Sequence, residues 1–192
     1  MMIRFLLCLA VTVAFGFADD AQDNLKKIES YLNNLPTIYA QFTQQVTKQE
    51  PIQGVMHLDK KKGRMHIHYP AIQQRLIARN GTLYVVDDQD KSMNDVSVSN
   101  TPLSFLLQDK IIFGKTLFVL SQEFKDNQAT VTFSSKPDGA EGQMRITFQM
   151  KPILKIVGWS VDDMQGSTTT ITIQNFKAGI PLDPCLFDRP DY

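Results

Sequence analysis

The clearest pattern in the chain is a hairpin in its first half, in which apolar and polar positions alternate. Met56 and Leu58 share one parity before the turn Lys60–Gly63, and Met65 and Ile67 share the matching parity after it. Because the side chains of a β-strand point alternately to its two faces, these four apolar residues are predicted to lie on one face of a sheet.

A second hairpin follows directly, and its turn is Asn80-Gly81. This dipeptide is typical of a type I′ turn, in which both central residues need a positive φ. Pairing outward from the turn sets Ala78 opposite Leu83 and Leu76 opposite Val85, again on one face. The sheet is therefore predicted to have one apolar side and one water-facing side.

The rest of the chain predicts a mainly β protein with a helix at its start. Apolar residues recur at three- and four-residue steps over Ala21–Leu35, and Pro36 prevents the helix from continuing. Strands at a spacing of about ten residues predict an antiparallel meander that closes toward a barrel or a sandwich. The predicted strands are Tyr39–Lys48, Gln53–Asp59, Arg64–Tyr69, Gln74–Arg79, Thr82–Asp87, a weak Ser92–Val98, Thr116–Gln122, Ala129–Ser134, Gln143–Met150, Leu154–Val161 and Ser167–Phe176.

A helix-prone apolar segment interrupts the strands in the middle of the chain. Thr101-Pro102 provides an N-cap followed by proline at the first helical position, and Gly114 is a plausible end. Periodicity leaves two interpretations open: these residues pack in the core, or they form a lid over the apolar face. The residues concerned are Leu103, Phe105, Leu106, Leu107, Ile111, Ile112 and Phe113.

The N-terminus predicts export from the cytoplasm. Arg4, the apolar run Phe5–Phe17 and the small-x-small motif Gly16-Phe17-Ala18 together are typical of a secretory signal peptide over residues 1–18, with an uncleaved anchor as the alternative. A single domain over residues 19–192 remains. It keeps one cysteine, Cys185, so no internal disulfide is expected.

Charge and motifs argue against several functional classes. The 20 basic and 20 acidic residues balance, whereas a nucleic-acid partner would require a basic surface. No Gly-x-Ser-x-Gly elbow, phosphate-binding glycine loop or dinucleotide fingerprint occurs, and no histidine follows His68 to serve Cys185. We therefore expect neither an enzyme nor a cofactor.

The three histidines form the one constellation that suggests a metal. His57, His66 and His68 share a face across the first hairpin, and Asp59 shares that face. Their parity is opposite to that of the apolar residues, so they are predicted to face water. Because no cysteine or carboxylate pattern completes a ligand set, we expect no metal site. Methionines on several strands, such as Met144, indicate either a loosely packed core or a surface for varied apolar ligands.

Several motifs, in order and spacing, resemble the periplasmic outer-membrane lipoprotein carrier family LolA, over residues 25–187. In the first half they are Ala40-Gln41-Phe42-Thr43-Gln44, Gly54-x-Met56-x-Leu58, Lys61-Lys62-Gly63-Arg64-Met65, Tyr69-Pro70 and Asn80-Gly81-x-Leu83-Tyr84. In the second half they are Pro152-x-Leu154, Trp159-x-Val161-x-Asp163-x-Gln165-Gly166-x-Thr168-Thr169, Asn175 and Pro181-Leu182-Asp183-Pro184-x-Leu186-Phe187.

The resemblance implies an unclosed antiparallel β-barrel of about eleven strands. Its apolar concave face would be covered by an N-terminal helix and short central lid helices. The family's helix-latching arginine falls on Lys61, whose point charge lacks the planar fork of arginine, and Arg64 is the alternative latch. The implied acyl-chain-lining residues are Phe42, Met56, Leu58, Met65, Ile67, Leu76, Leu83, Val85, Ile146 and Phe148.

The implied function is to accept acylated lipoproteins from an inner-membrane ABC transporter and carry them through the periplasm to the outer membrane, with an outer-membrane receptor where one exists. A monomer is expected if the apolar face is covered from within. Two other interpretations stay open: a periplasmic sensor or regulatory module, and a general lipid-binding protein of the same fold.

Overall fold

The structure, a computed structural model, describes residues 16–101, 104–139, 143–162 and 166–191. Most of the predicted signal peptide, the candidate lid residue Leu103 and residues 163–165 lie outside these ranges. None of the helices within the described ranges is long and apolar enough to cross a membrane.

The N-terminal helix α1 spans Gly16–Asn33. It begins earlier than predicted and ends before Leu35, because a residue that precedes proline is disfavoured in the helical conformation. Leu35 is nevertheless buried, as are Ile28 and Leu32, so the predicted apolar stripe faces the core. The second helix, α2, is a single turn over Ser104–Leu107.

Eleven strands form one antiparallel sheet with the order β6-β5-β4-β3-β2-β1-β11-β10-β9-β8-β7. Because β6 and β7 lie at its two ends, the sheet is an unclosed barrel, which confirms the expected mainly β architecture. The strands are β1 Ile38–Val46, β2 Ile52–Asp59, β3 Arg64–Tyr69, β4 Gln74–Arg79, β5 Thr82–Asp87, β6 Ser92–Ser97, β7 Phe118–Lys125, β8 Gln128–Ser134, β9 Gln143–Gln149, β10 Lys155–Asp162 and β11 Thr168–Ala178. Short 3₁₀ turns occupy Lys60–Lys62, Pro70–Ile72, Val98–Asn100 and Pro184–Phe187.

The register of the second hairpin is as predicted. Leu76 pairs with Val85 and Ala78 with Leu83. The turn residues Asn80 and Gly81 have φ values of 51° and 78°, which are the positive angles that a type I′ turn requires. The two halves of the sheet join through β1, which pairs with β2 on one side and with β11 on the other.

The expectation that residues 111–113 belong to a helix is wrong. The segment is irregular, and Phe113 forms an isolated parallel bridge with Leu117. Its amide groups are bound by side chains instead: the Ile112 amide donates to Thr116 Oγ1 at 2.9 Å, and the amides of Ile111 and Phe113 donate to side chains of α1, as described below. A helix would have needed the same backbone groups for its own hydrogen bonds.

Most of the buried apolar side chains form one cluster between the concave face of the sheet, α1 and the segment after β6. The opposite, outer face was predicted to be water-facing, and this is wrong for β3–β5. Ile77, Val86 and Phe187 are buried there outside the main cluster, since the C-terminal turn crosses this face. Arg79 on β4 donates to the carbonyl oxygen of Phe187 at 3.2 Å.

Candidate functional site

The pairing of β1–β6 places the concave-face residues in three rows that run across the strands. Positions with the same parity fall at matching levels of neighbouring strands. The upper row contains Ile38, Leu58, Met65, Ala78, Leu83 and Val96. The middle row contains Ala40, Met56, Ile67, Leu76, Val85 and Asn94. The lower row contains Phe42, Gly54, Tyr69, Gln74, Asp87 and Ser92.

The structure brings the sequence-predicted lining residues to this one face. All but two of them belong to the buried apolar cluster; Leu76 packs against the cluster, and Val85 is half-buried on the same face. The buried members are Phe42, Met56, Leu58, Met65, Ile67, Leu83, Ile146 and Phe148.

Burial of the concave face decreases toward the edge strand β6. In the upper row Leu58 and Met65 are 0% exposed, Leu83 is 5% exposed and Val96 is 44% exposed. The covering elements therefore protect the middle of the sheet and leave apolar surface accessible beside β6.

The candidate lid residues that the structure describes fill the concavity. Phe105, Leu106 and Ile111 are at most 5% exposed and belong to the same apolar cluster as the sheet. Leu107 and Phe113 pack against that cluster, whereas Ile112 is half-buried without joining it. The segment from Ser104 to Phe113, which we call the lid segment, therefore occupies the concavity of the sheet.

Two polar residues of α1 hold the lid segment. Asn33 Nδ2 donates to the carbonyl oxygen of Ile111 at 2.7 Å, and the Ile111 amide donates to Asn33 Oδ1 at 2.8 Å. Glu29 Oε2 accepts from the amide of Phe113 at 2.6 Å. Since Glu29 and Asn33 are four residues apart, they lie on one face of the helix.

A third contact reaches the lid segment from the β2–β3 hairpin, and it comes from Lys60. Lys60 Nζ donates to the carbonyl oxygen of Gln108, and Lys60 is only 6% exposed. Burial lowers the pKa of this amine, while the charge of nearby Asp109 acts to raise it. The sequence-based latch candidates are placed elsewhere. Lys61 is exposed, and within the described ranges it makes no ion pair or hydrogen bond through its side chain.

Arg64, the other latch candidate, stabilises the hairpin tip instead of the lid segment. Its Nη2 and Nε atoms lie 3.1 and 3.2 Å from Asp59 Oδ2. Asp59 Oδ1 also accepts from the amide of Lys62 at 3.3 Å, which caps the 3₁₀ turn. On its other side, the Arg64 guanidinium lies 4.3 Å from the ring centre of Phe187.

Two aromatic rings close the lower end of the concave face. The rings of Phe42 and Tyr69 meet edge to face, with centres 5.7 Å apart and planes at 87°. Tyr69 Oη donates to Gln44 Oε1 at 2.7 Å. Burial raises the pKa of Tyr69 to about 12, so this hydroxyl remains a donor at neutral pH.

The histidine row lies on the outer face as predicted, but His66 is buried there, whereas His57 and His68 are half-buried. The rings of His57 and His66 are 5.7 Å apart, those of His66 and His68 are 6.4 Å apart, and His66 is 6% exposed. Burial and the neighbouring His57, Arg75 and His68 lower the pKa of His66 to about 4. In the part of the chain that the structure describes, no group of histidine, cysteine or acidic side chains is arranged to hold a metal ion.

Sequence reasoning missed Lys60, Asn33 and Glu29. The spacing of Glu29 and Asn33 beside the apolar stripe of α1 was an available signal, since it places two polar side chains next to a core-facing surface. No such signal indicated which of the three consecutive lysines contacts the lid segment, because that depends on how the hairpin tip is oriented in three dimensions.

Comparison with known proteins agrees with this geometry. The family model for the outer membrane lipoprotein carrier protein LolA matches residues 33–190, so the chain belongs to the LolA family. No curated protein matches the chain significantly.

Solved structures share the fold at low sequence identity. An uncharacterised conserved protein from Thermus thermophilus has a TM-score of 0.54 and 11% identity, covering 90% of this chain and 95% of that one. A domain named for outer membrane lipoprotein sorting from Vibrio parahaemolyticus has a TM-score of 0.53 and 9% identity, covering 86% and 95%. A DUF1329 family protein from Desulfovibrio piger has a TM-score of 0.50 and 12% identity, covering 88% and 96%.

Proposed function

We propose that the protein is a non-enzymatic periplasmic carrier that shelters the acyl chains of lipoproteins against its concave face. It takes them from an inner-membrane ABC transporter and delivers them to the outer membrane, through a receptor where one exists. The proposal rests on family membership together with one structural observation. A lid segment fills the apolar concavity, and the side chains of Asn33, Glu29 and Lys60 bind its backbone from α1 and from the β2–β3 hairpin.

The energetics of exchange between lid and cargo support this function. Burying an acyl chain contributes about 0.8 kcal/mol per methylene, so a chain with about 14 buried methylenes gains on the order of 11 kcal/mol. Removing the side chains of Phe105, Leu106 and Ile111 from the cluster costs about 1.5–3 kcal/mol each. The free energy gained by burying one acyl chain therefore exceeds the free energy lost by removing these lid side chains, and the difference is small enough for the cargo to be released.

A direct test compares one short peptide with and without an N-terminal diacylglyceryl modification. We expect the purified protein to bind the acylated peptide and not the unmodified one, as measured by fluorescence anisotropy. Hydrogen exchange in the lid segment should become faster on binding, because the lid leaves the cluster. Equal binding of both peptides, or unchanged exchange, would contradict the proposal.

Matched variants connect this binding to the concave face. Leu83→Gln places a polar group among the lining residues and should weaken acyl-peptide binding by tenfold or more, which corresponds to about 1.4 kcal/mol. Ile153→Gln makes the same kind of change at a residue that is 73% exposed, and it should leave binding unchanged. Thermal unfolding of both variants controls for loss of the fold.

Two further measurements address cargo and compartment. Free fatty acid that binds as tightly as the acylated peptide would favour a general lipid-binding protein. Export with cleavage before Asp19 predicts a mature N-terminus at this residue, which N-terminal sequencing of periplasmic material determines. An unprocessed chain anchored in the inner membrane would contradict the periplasmic carrier.

A further inference from the structure

On β3–β6 the apolar lining of the concave face ends at its lower row, whereas toward β10 the apolar cluster continues past this level through Ile171 and Trp159. The upper and middle rows are apolar on β1–β5. The lower row is polar on β4–β6, where Gln74, Asp87 and Ser92 occupy concave-face positions. In the middle strands of the same row stand Phe42 and Tyr69. The lid segment is held at the other end of the strands, where Lys60 follows β2.

Phe42 has little freedom to move at this position. Its ring lies directly against Gly54 on β2, where a Cβ atom, if one were present, would be 2.3 Å from the ring Cζ atom. The absence of a side chain at Gly54 thus lets the ring lie close to the sheet. Phe42 is 2% exposed, and Ile173 on β11 pairs with it on the other side.

Tyr69 is fixed from two directions as well. Its ring packs edge to face against Phe42, and its hydroxyl donates to Gln44 Oε1 at 2.7 Å. Such a hydrogen bond holds an aromatic ring in one orientation, because breaking it leaves a buried polar group without a partner. Both rings belong to strands of the sheet, so they stay in place when the lid segment moves.

The lining above these rings is adaptable by comparison. Met56 and Met65 contribute long unbranched side chains that change shape at little cost. We propose that Phe42 and Tyr69 form a rigid floor that sets the longest acyl chain the protein can bury fully along β1–β5, while the methionine-lined walls tolerate variation in chain shape. This inference rests on the proposed carrier function and names the feature of the cargo that the site selects.

The floor predicts a specific dependence of affinity on chain length. The upper row and the floor are four residues apart along β2, from Leu58 to Gly54, which corresponds to about 13 Å of strand. Each added methylene should raise affinity about fourfold while it enters the cavity. Once the chain end meets the floor, further methylenes stay in water and affinity should reach a plateau.

The experiment measures affinity for a series of peptides that carry one saturated acyl chain of stepwise increasing length. For the wild-type protein we expect a steady rise followed by a plateau. Phe42→Leu should move the plateau to longer chains, and Tyr69→Leu, which also removes a ring of the floor, should do the same. Phe187→Leu is the matched control: Phe187 is also 2% exposed, but it packs against the outer face of the sheet, so the plateau should keep its position.

The outcomes separate this inference from the proposed function. A wild-type affinity that keeps rising without a plateau would contradict the floor even if neither floor variant folds. So would an unmoved plateau in both floor variants, or an equal shift in Phe187→Leu. If no acylated peptide binds to the wild-type protein at any length, the proposed function itself fails, and the inference fails with it.

Discussion

Asn33 in the last turn of α1 is joined to the backbone of Ile111 by two hydrogen bonds. Its amide nitrogen donates to the Ile111 carbonyl oxygen at 2.7 Å, and its amide oxygen accepts from the Ile111 nitrogen at 2.8 Å. The Asn33 side chain thereby makes the two hydrogen bonds that a neighbouring strand would make to the Ile111 backbone in a sheet. Ile111 is not part of a helix or a strand, so its backbone amide and carbonyl groups depend on Asn33 for their hydrogen bonds.

Asn33→Ala should therefore loosen the lid segment. Leaving both backbone groups of Ile111 without their partner costs about 1–3 kcal/mol, which corresponds to about 5-fold to 150-fold faster amide exchange around this residue. Asn34→Ala is the control, since Asn34 is exposed and bonds only within α1, to Ser30. Exchange by mass spectrometry that is equal in the two variants would contradict the role of Asn33.

The neighbouring lysines Lys60 and Lys61 give a second matched pair. Lys60→Met keeps the buried stem and removes the amine that bonds to Gln108, so the lid competes less well with cargo and affinity for an acylated peptide should rise. Lys61→Met makes the same charge change at an exposed position and should leave affinity unchanged. Anisotropy titrations measure both variants, and a rise that is larger for Lys61→Met would show that the latch is misassigned.

Folding stability should depend on pH through His66. Its pKa is lowered to about 4 in the folded protein, whereas the unfolded chain titrates near 6.5. Between these values the unfolded state binds the proton and the folded state does not, so stability is full above this window and is lost as the pH falls through it. The loss is on the order of 3 kcal/mol at most.

Urea unfolding on either side of this window measures the effect. His66→Gln should reduce the difference in unfolding free energy between the two conditions, because the group that binds the proton is gone. His68→Gln, at a half-buried neighbour on the same strand, serves as the reference and should reduce this difference less, because His68 is only one of several causes of the His66 shift. A pH dependence that His66→Gln leaves unaltered would rule out this origin.

The C-terminal turn should contribute to stability through Phe187. This ring is 2% exposed against the outer face, with the Arg64 guanidinium 4.3 Å from its centre. Phe187→Ala should lower the free energy of unfolding by about 3 kcal/mol or more. Leu186→Ala, at a half-buried neighbour, should cost clearly less. Equal losses in urea unfolding would mean that the turn contributes through its backbone alone.

Local patterns were enough to predict most of the sheet. Alternation gave the correct face for Met56 and Leu58, and Asn80-Gly81 specified its turn, because both signals depend on a few neighbouring residues. Patterns of this kind fail where distant segments meet. The parity of His66 was read correctly, yet no local signal indicated that the C-terminal turn covers part of the same outer face.

In the lid segment, too, local signals were predicted correctly and contacts with distant residues were not. Its apolar residues were recognised from the sequence, but the irregular backbone at Ile111 is bound by Asn33, which is distant in the chain.

What the sequence alone determined is the set of strands, their faces, the N-terminal helix and the resemblance to a carrier family, because periodicity and turn chemistry are local. Only the tertiary structure decided that Lys60 and not Lys61 reaches the lid segment, and that Phe42 rests on Gly54. Both relationships depend on how strands and hairpin tips are positioned in space, and that position is set by the packing of the whole sheet.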